Sequence, residues 1–393
     1  MSAYLDHAAT TPARPEVVAA MAEELGRIGN PSSLHTAGRA ARRVVEEARE
    51  QVAAALGARP GEVVITGGGT EADNLAVKGL YWARRAADPR RRRVLVSAVE
   101  HHGVLDPAEW LAHEQGAEVV HLPVDATGRL DVAALRAELE ADPASVALVS
   151  VMWANNEVGT LQPVAEVVAA AAEHGVPVHS DAVQAVGAVP VDFDASGVAA
   201  LSTTAHKIGG PVGVGALVVR RGTALVPVLH GGGQEGGVRS GSVAAASARA
   251  LGLAAELAAA DQPAHAARLA DLRERLAAAV LAAVPDAVVH GSPDPALRLP
   301  GLLHVTVPGC QGDSLLYLLD ARGVECSTGS ACTAGVPQPS HVLRAMGLED
   351  ATARGALRFS LGRTSTAADV DAVAAALGPV VERARSAGLA VQR

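Results

Sequence analysis

The feature that most constrains the fold is a regular alternation of short apolar segments and alanine-rich helical segments between residues 60 and 220. Strands that are apolar along their whole length are buried on both faces, as in a parallel sheet covered by helices. The pattern predicts strands at 63–65, 94–96, 118–120, 146–151, 176–178 and 216–219. We therefore expect an α/β fold with a mostly parallel central sheet.

Helical patterns flank this region, and they indicate a second unit. Residues 39–56 form an amphipathic pattern that ends at Gly57. Residues 243–284 predict a long helical region interrupted near Pro263, which we interpret as a hinge between domains. Beyond it, candidate strands around 303–305 and 357–359 alternate with candidate helices at 314–321 and 367–387. A chain of 393 residues exceeds one ordinary core. We predict a large domain at 15–255 and a small domain made of 1–14 and 256–393.

Charge and cysteine content exclude several classes of protein. A net charge of -9 argues against nucleic acid as a partner, because binding to phosphates requires a basic surface. The chain starts without a secretory signal pattern and has no apolar run of roughly 20 residues, so we expect a soluble, cytoplasmic protein with no membrane partner. The three cysteines, Cys310, Cys326 and Cys332, form no CxxC pair, which disfavours a disulfide framework and a zinc site.

A glycine-rich segment, Thr66 to Glu71, follows a predicted strand and opens a predicted helix. The free N–H groups and positive end of such a helix suit a phosphate group. The segment also fits the dinucleotide pattern G-x-G-x-x-A, with Gly67 and Gly69 as its glycines, although a Walker lysine is absent. A tight turn capped by Thr70 is an equally good interpretation at this stage.

A carboxylate ends another predicted strand, at Asp181 in the segment H-S-D-A-V-Q. Open α/β sheets bind ligands at the carboxyl ends of their strands. There Asp181 can hold a pyridinium nitrogen protonated, which makes the ring an electron sink, and Gln184 can reach a ring oxygen. Asp181 alone is as well explained as a helix N-cap.

A lysine lies between small, hydroxyl and glycine residues in the segment from Ser202 to Gly210. A partly desolvated lysine such as Lys207 loses its proton easily and can form a Schiff base, although most lysines are solvated surface charges. Lys207 follows Asp181 by 26 positions (207 minus 181), with the glycine-rich segment upstream of both. The glycine-rich segment, Asp181 and Lys207 are weak signals individually, but together and in this order they are a much stronger indication of a cofactor site.

Nine short motifs together carry a resemblance to a known family. They are YLDHAATTP (4–12), GNPSSLH (29–35), GTEADN (69–74), EH (100–101), NNEVG (155–159), DAVQ (181–184), HK (206–207), RSGS (239–242) and RFSLGR (358–363). In them the chain resembles the class V aminotransferases among the fold-type I pyridoxal-phosphate (PLP) enzymes and, within these, the cysteine desulfurases. The resemblance implies a large domain with a mostly parallel seven-stranded sheet and a smaller α/β C-terminal domain.

The resemblance also implies roles for individual residues. Lys207 would bind PLP covalently, Asp181 would pair with the ring nitrogen, and Gln184 would contact the ring hydroxyl. His101 would stack on the ring and is a candidate proton shuttle. The positions that would complete the cofactor and phosphate site are Gly69, Thr70, Asn156, Thr204 and His206.

The resemblance further implies how the substrate and a second subunit take part. Asn156 and Arg358 would bind the substrate carboxylate, a task suited to the fork of arginine. Ser242 would reach the phosphate of the neighbouring subunit, so the expected assembly is a homodimer with shared active sites.

The segment C-S-T-G-S-A-C-T-A-G, residues 326–335, distinguishes the desulfurases from other class V enzymes. Together with Pro337 and Pro339 it predicts a surface loop at about 326–339, where small neighbours leave the Cys332 thiolate accessible. A buried, inert cysteine is the alternative, and it is our interpretation of Cys310 and Cys326.

The implied function is removal of sulfur from L-cysteine. L-Alanine would be released, and a persulfide on Cys332 would pass its sulfur to acceptors for iron–sulfur cluster, thio-cofactor or tRNA synthesis. The sequence leaves open the acceptor, the discrimination between cysteine and selenocysteine, and whether Cys332 also ligates a transient cluster.

Rival interpretations remain. Another class V enzyme, a selenocysteine lyase or an aminotransferase, is the nearest, but a transaminase needs no thiol nucleophile. A nicotinamide dehydrogenase would leave Asp181, Lys207 and Cys332 without roles, and a non-enzymatic sulfur carrier would not need Lys207. We expect no metal, because the pair His101 and His102 has no third ligand at metal-site spacing.

Three positions depart from the family pattern. Gly236 and Val212 stand where basic residues are common, and Ala205 replaces a glycine. The first two changes remove positive charge near the mouth of the site, which bears on partner docking or phosphate affinity more than on the chemistry.

Overall fold

The computed structural model describes residues 2–329 and 339–391, with side chains to residue 387. Its strands are β1 (Ala3–Tyr4), β2 (Val63–Thr66), β3 (Arg93–Ser97), β4 (Glu118–Leu122), β5 (Val146–Ser150), β6 (Val178–Asp181), β7 (Ala200–Thr204), β8 (Gly215–Val219), β9 (Val288–His290), β10 (Leu302–Thr306), β11 (Val324–Glu325) and β12 (Ala356–Ser360). Its helices are α1 (Pro15–Leu25), α2 (Thr36–Leu56), α3 (Gly69–Ala87), α4 (His102–Gln115), α5 (Val132–Ala141), α6 (Val164–Ala172), α7 (Phe193–Ser196), α8 (Ala245–Ala283), α9 (Gly312–Asp320), α10 (His341–Ala345), α11 (Asp350–Ala353) and α12 (Ala367–Val391).

Within the described residues, seven strands form the central sheet in the order β2-β8-β7-β6-β5-β3-β4. The neighbouring strands β7, β6, β5, β3 and β4 run parallel to one another. Strand β8 is antiparallel to both β7 and β2. Every residue of β3, β5 and β7 is buried, since α2, α6 and α8 form one apolar core with the sheet, and α3 and α4 form another. The mostly parallel seven-stranded sheet is confirmed.

A smaller α/β unit lies at the other end of the chain. There β10 pairs antiparallel with β9 and β12, and β1 pairs in parallel with β11. Leu5 packs in the same apolar core as residues of α9, α12 and the second half of α8, so the start of the chain joins its last third in space. The domain boundaries at 15 and 255 stay predictions.

Helix α8 corrects the predicted interruption near Pro263. The helix is continuous over 39 residues and contains Pro263, where a break was expected. Proline removes one backbone donor from a helix. Both Pro263 and Ala259, whose carbonyl group loses its partner, are exposed, so water can bond the freed oxygen. The middle of the helix is also tied to the N-terminal segment by an ion pair of 2.7 Å between Arg14 and Asp261.

Among the described residues, we find no helix that combines the length and the apolar character needed to cross a membrane.

Candidate active site

A cavity of about 380 Å³ opens at the carboxyl ends of β5, β6 and β7. Loops that follow parallel strands meet at this edge of a sheet, so residues far apart in the sequence converge there. Ten of the twelve predicted site residues line the cavity: Gly69, Thr70, His101, Asn156, Asp181, Gln184, Thr204, His206, Lys207 and Arg358.

Asp181 is the last residue of β6 and is 5% exposed. One of its carboxylate oxygens accepts a hydrogen bond of 2.8 Å from the backbone N–H of Val183. The residues that follow form a turn rather than an α-helix, so Asp181 is not a helix N-cap. Burial raises its pKa, whereas His101 and Lys207 act in the opposite direction. Together with the hydrogen bond from Val183, these two neighbours favour the carboxylate form that an ion pair requires.

Lys207 ends a short 3₁₀ turn, Ala205–Lys207, which begins directly after β7. Its Nζ donates to the backbone oxygens of Ala8 and, at 2.8 Å, Ala9. Burial and the charge of Arg358 lower the pKa of Lys207 from 10.5 to about 8, although Asp181 acts in the opposite direction. A substantial fraction of the amine is therefore neutral near pH 8, which is the form that attacks a carbonyl group.

The start of α3 also lines the cavity. The N-cap residue is Gly68, with φ of 146°, and the described residues place no side-chain cap on it. Thr70 lies inside the first turn and is not the cap. Uncapped N–H groups at a helix start bind anions, and Thr204 and His206 line the cavity with them.

The two other predicted ring and phosphate ligands, His206 and Gln184, also bond the N-terminal segment. His206 contacts the hydroxyl of Thr10 at 3.3 Å, and burial followed by the charge of Lys207 lowers its pKa to about 4. The side-chain amide of Gln184 donates to the backbone oxygen of Ala8 at 2.8 Å. The N-terminal segment thus closes one wall of the cavity.

His101 is the N-cap of α4, and its Nδ1 accepts a hydrogen bond of 2.9 Å from the backbone N–H of Gly103. Because a backbone amide can only donate, Nδ1 carries no proton and Nε2 carries it in the neutral ring. Desolvation lowers the pKa of His101, while Asp181 opposes this shift. The ring is thus held as a neutral hydrogen-bond donor.

Arg358 lies on β12 in the small unit and is 4% exposed. Its guanidinium donates to the backbone oxygen of Asn156 and to the carboxylate of Asp6, each at 2.8 Å. Its Nε, which is also buried, has no partner among the described residues. Arg358 therefore brings a fixed positive charge from the small unit to the cavity.

Sequence reasoning did not find Asp73, which also lines the cavity. Asp73 is 1% exposed on the apolar face of α3, and burial and the charge of Asp181 raise its pKa well above its ordinary value. Candidate ligand atoms of Asp73, His101 and Asp181 all lie within 4.8 Å of one another. This group does not include His102, so the expectation that the pair His101 and His102 binds no metal stays a prediction. A charged residue on an apolar helix face was the available signal.

Two predicted site residues are not part of this cavity as described. Ser242 is exposed and does not line the cavity of its own chain. Cys332 lies outside the described residues. Of the departures from the family pattern, Gly236 adopts a φ of 65°, which favours glycine, and Val212 is 77% exposed.

The chain is similar to known proteins in sequence and in fold. The family model described as aminotransferase class-V matches residues 3–373. The IscS-like cysteine desulfurase of Mycobacterium tuberculosis (strain ATCC 25618 / H37Rv) is 58% identical over 388 residues, which cover 99% of this chain and 98% of that protein. The cysteine desulfurase NifS of Azotobacter vinelandii is 43% identical over 385 residues, covering 98% and 93%. A solved structure of a NifS-like protein has a TM-score of 0.87 and 33% identity, covering 98% of this chain and 99% of that one.

Proposed function

The chain belongs to the aminotransferase class-V family, and from this membership we propose that it is a cysteine desulfurase. In the proposed reaction L-cysteine yields L-alanine, and its sulfur remains on Cys332 as a persulfide. One observation mainly supports the proposal. Asp181 ends one strand and Lys207 follows the neighbouring strand, and both line a single cavity with Arg358 from the small unit.

We propose PLP as the cofactor, since the donor set of the cavity fits its phosphate, its ring nitrogen and its aldehyde. The uncapped N–H groups at the start of α3 suit the phosphate, the carboxylate of Asp181 suits the ring nitrogen, and the amine of Lys207 suits the aldehyde. When bound, PLP would supply a ring that stabilises negative charge at the substrate Cα.

Three residues of the chain would bind the substrate, transfer its proton and hold the ring. Arg358 would bind the substrate carboxylate and orient Cα toward Lys207. Lys207, as a neutral amine, would take the Cα proton and hold it for return to the product. His101 would stack on the ring, and its Nε2–H group would be available as a hydrogen-bond donor.

The sulfur step requires a second thiol, and we assign it to Cys332. The Cys332 sulfur would form a bond to the substrate Sγ as the Cβ–Sγ bond breaks. The electron pair of the broken bond would stay on the three-carbon fragment, which takes a proton at Cβ to become alanine. Cysteine and a thiol have the same atoms as alanine and a persulfide, so no external oxidant is needed.

The decisive test compares two cysteines. We expect Cys332→Ser to keep the bound cofactor but lose alanine formation from cysteine. Cys326→Ser is the matched control, because burial, followed by the charge of Asp6, raises the pKa of Cys326 to about 12 and keeps it a thiol. Its alanine formation should stay within about two-fold of wild type.

Product analysis by mass spectrometry separates the outcomes. Normal alanine formation by Cys332→Ser would contradict the persulfide step. Release of a keto acid instead of alanine would indicate an aminotransferase, and turnover of selenocysteine alone would indicate a selenocysteine lyase.

The site of covalent cofactor attachment can be tested with little ambiguity, because the chain contains only two lysines, Lys78 and Lys207. Borohydride reduction of the holoenzyme followed by peptide mass spectrometry should locate the cofactor on Lys207. Lys78, whose Nζ lies 4.3 Å from the ring centre of Trp110, is the internal control. Labelling of Lys78 alone would contradict the assignment.

We also propose a homodimer in which Ser242 reaches the phosphate site of the second copy. Support comes from the exposure of Ser242 and of large apolar side chains, with Ile28 89%, Leu34 85% and Val212 77% exposed. Light scattering of the purified protein should give the mass of two chains. A monomer with full activity would contradict shared sites.

The sulfur acceptor that we propose is another protein, either an iron–sulfur cluster scaffold or an acceptor for thio-cofactor or tRNA synthesis. A cytoplasmic location would keep Cys332 reduced between turnovers.

A further inference from the structure

Glu157 is the residue after Asn156 in the sequence, and it also lines the cavity. The proposed reaction assigns it no role. Its backbone is fixed by Asn155, whose side-chain oxygen accepts from the N–H groups of Glu157 at 2.9 Å and Val158 at 2.8 Å. The side-chain amide of Asn155 donates to the oxygen of Val99 at 3.0 Å. Glu157 is thus held on a rigid turn of the large unit, and it is 3% exposed.

The side chain of Glu157 contacts two residues of the small unit that are eleven positions apart (340 minus 329). The hydroxyl of Ser340 bonds its Oε2. Gly329 also lies next to this side chain, since a methyl group at Gly329 would be 3.6 Å from Cβ, Cγ and Oε2 of Glu157. The contacts of Glu157 therefore flank the stretch 330–338, which includes Cys332.

The direction of the Ser340 hydrogen bond is fixed by a second contact. Ser340 is the N-cap of α10, and its oxygen accepts from the backbone N–H of Leu343 at 3.2 Å. The hydroxyl proton is therefore free to be donated to Glu157, which acts as the acceptor. Loss of the Glu157 oxygen would leave the Ser340 hydroxyl buried without this partner.

The same turn also positions the residue that we assign to the substrate carboxylate. The backbone oxygen of Asn156 accepts from Arg358, and the backbone of Arg358 exchanges two hydrogen bonds with Ser327, at 3.1 and 2.6 Å. Burial raises the pKa of Glu157, and the hydrogen bond from Ser340 and the charge of Arg358 oppose this shift. One short turn of the large unit thus contacts Ser340, Gly329 and Arg358 of the small unit.

We infer that Glu157 is a positioning residue that fixes both ends of the segment bearing Cys332 against the cavity. The inference rests on the proposed function. Glu157 touches neither reacting sulfur in this scheme. Its effect is confined to the step in which the Cys332 sulfur bonds the substrate Sγ, and proton removal from Cα is independent of it.

Two reactions of the holoenzyme separate these steps. Alanine formation from cysteine requires the thiol, whereas exchange of the Cα proton of L-alanine in D₂O, followed by NMR, requires Lys207 and the cofactor but no thiol. We expect Glu157→Ala to lower kcat for alanine formation by roughly 10- to 100-fold, since a displacement of about 1 Å can cost that much. Its proton exchange should stay within about two-fold of wild type.

Three further variants make the comparison sharper. Glu157→Gln keeps an oxygen that can accept from Ser340, so it should restore most of the kcat. Ser340→Ala releases one end only, and its loss should be smaller than that of Glu157→Ala. Glu166→Ala is the matched control, because the Glu166 side chain is 63% exposed and far along the chain from either contact.

Specific outcomes would overturn the inference. These are normal alanine formation by Glu157→Ala, or an equal loss of alanine formation and proton exchange. If Glu157→Ala does not fold, the same comparison is made with Ser340→Ala, for which equal losses again count against it. Failure of the proposed function looks different, because then the wild type makes no alanine from cysteine or Cys332→Ser makes it normally.

Discussion

Two parts of the large unit differ in what gives them their geometry. Asp181, Thr204 and Lys207 lie at the ends of β6 and β7, two neighbouring strands whose backbones pair in register, with Asp181 opposite Ser202. The glycine-rich loop 231–242, which carries the exposed Ser242, has no such pairing. We refer to the first part as the strand-end half and to the second as the glycine loop.

The glycine loop is held by ion pairs instead. The guanidinium of Arg49 donates two hydrogen bonds of 2.8 Å to Glu235, whose carboxylate also accepts from the backbone N–H of Ile65 at 2.7 Å. Arg239 bonds Glu71, at the start of α3, at 2.7 Å. A few individual side chains, rather than a sheet, therefore fix this loop.

Glu235 also adopts a φ of 48°, the one described non-glycine residue with a positive φ. This conformation costs on the order of 1 to 3 kcal/mol and persists only where surrounding contacts enforce it. The comparison indicates that the strand-end half tolerates changes of surrounding sequence, whereas the glycine loop depends on particular ion pairs.

The largest effect should come from the strand-end half. We expect Asp181→Asn to lower alanine formation by roughly 150- to 5,000-fold, because removing one partner of a buried charge pair costs about 3 to 5 kcal/mol. Asp73→Asn is the matched control. Burial and Asp181 already raise the pKa of Asp73, so a neutral amide resembles its protonated form and should cost less than about ten-fold. Equal losses in both variants would contradict a special role for Asp181.

A smaller effect is expected in the glycine loop, and it is structural. Glu235→Ala should lower the free energy of unfolding by about 3 kcal/mol, since it leaves Arg49 buried without its main partner. Glu235→Gly loses the same ion pair but accepts a positive φ, so it should be more stable than the alanine variant by about 1 kcal/mol. Chemical denaturation measures both values. Equal stability of the two variants would show that the φ of Glu235 carries no strain.

The smallest effect concerns the pH at which the strand-end half captures its cofactor. Burial and Arg358 lower the pKa of Lys207 to about 8, so its neutral fraction grows as the pH rises through 8. The rate at which the cofactor-free protein binds added PLP covalently should increase between about pH 7 and 9 and then level off. Absorbance spectroscopy after mixing follows this rate. A continued rise toward pH 10.5 would indicate an ordinary lysine.

The same experiment on Arg358→Gln tests the cause of the shift. Removal of the Arg358 charge should move the midpoint to higher pH, because Arg358 favours the neutral form of Lys207. An unchanged midpoint would show that burial alone lowers the pKa of this lysine.

Part of the strand-end half could be predicted from the sequence because its signals are local. The apolar run 176–178 marks the strand that Asp181 ends, whereas no strand was predicted before Lys207, because β7 ends in the hydroxyl residues Ser202, Thr203 and Thr204. The glycine loop could not be predicted in the same way. The partner of Glu235 is Arg49, 186 positions away, and no local pattern pairs the two or sets the φ of Glu235.

Two other residues show the same limit. Asp73 on α3 owes its raised pKa partly to Asp181 on β6, and Glu157 gains its contacts from residues 329 and 340 in the small unit. Pro263 shows the opposite error, because a valid local rule predicted a break that exposure to water and tertiary packing made unnecessary.

The unbroken helix α8 has a mechanical consequence. A helix of 39 residues is about 58 Å long. One end of α8 packs in the apolar core of the central sheet, and the other end packs in the apolar core of the small unit. The helix is not broken at residues 261–263, so a rotation of the small unit relative to the central sheet would have to bend α8 or move it along α2. A rotation of the small unit away from the cavity would therefore be resisted by a continuous helix, and this resistance would favour the position of Arg358 described above.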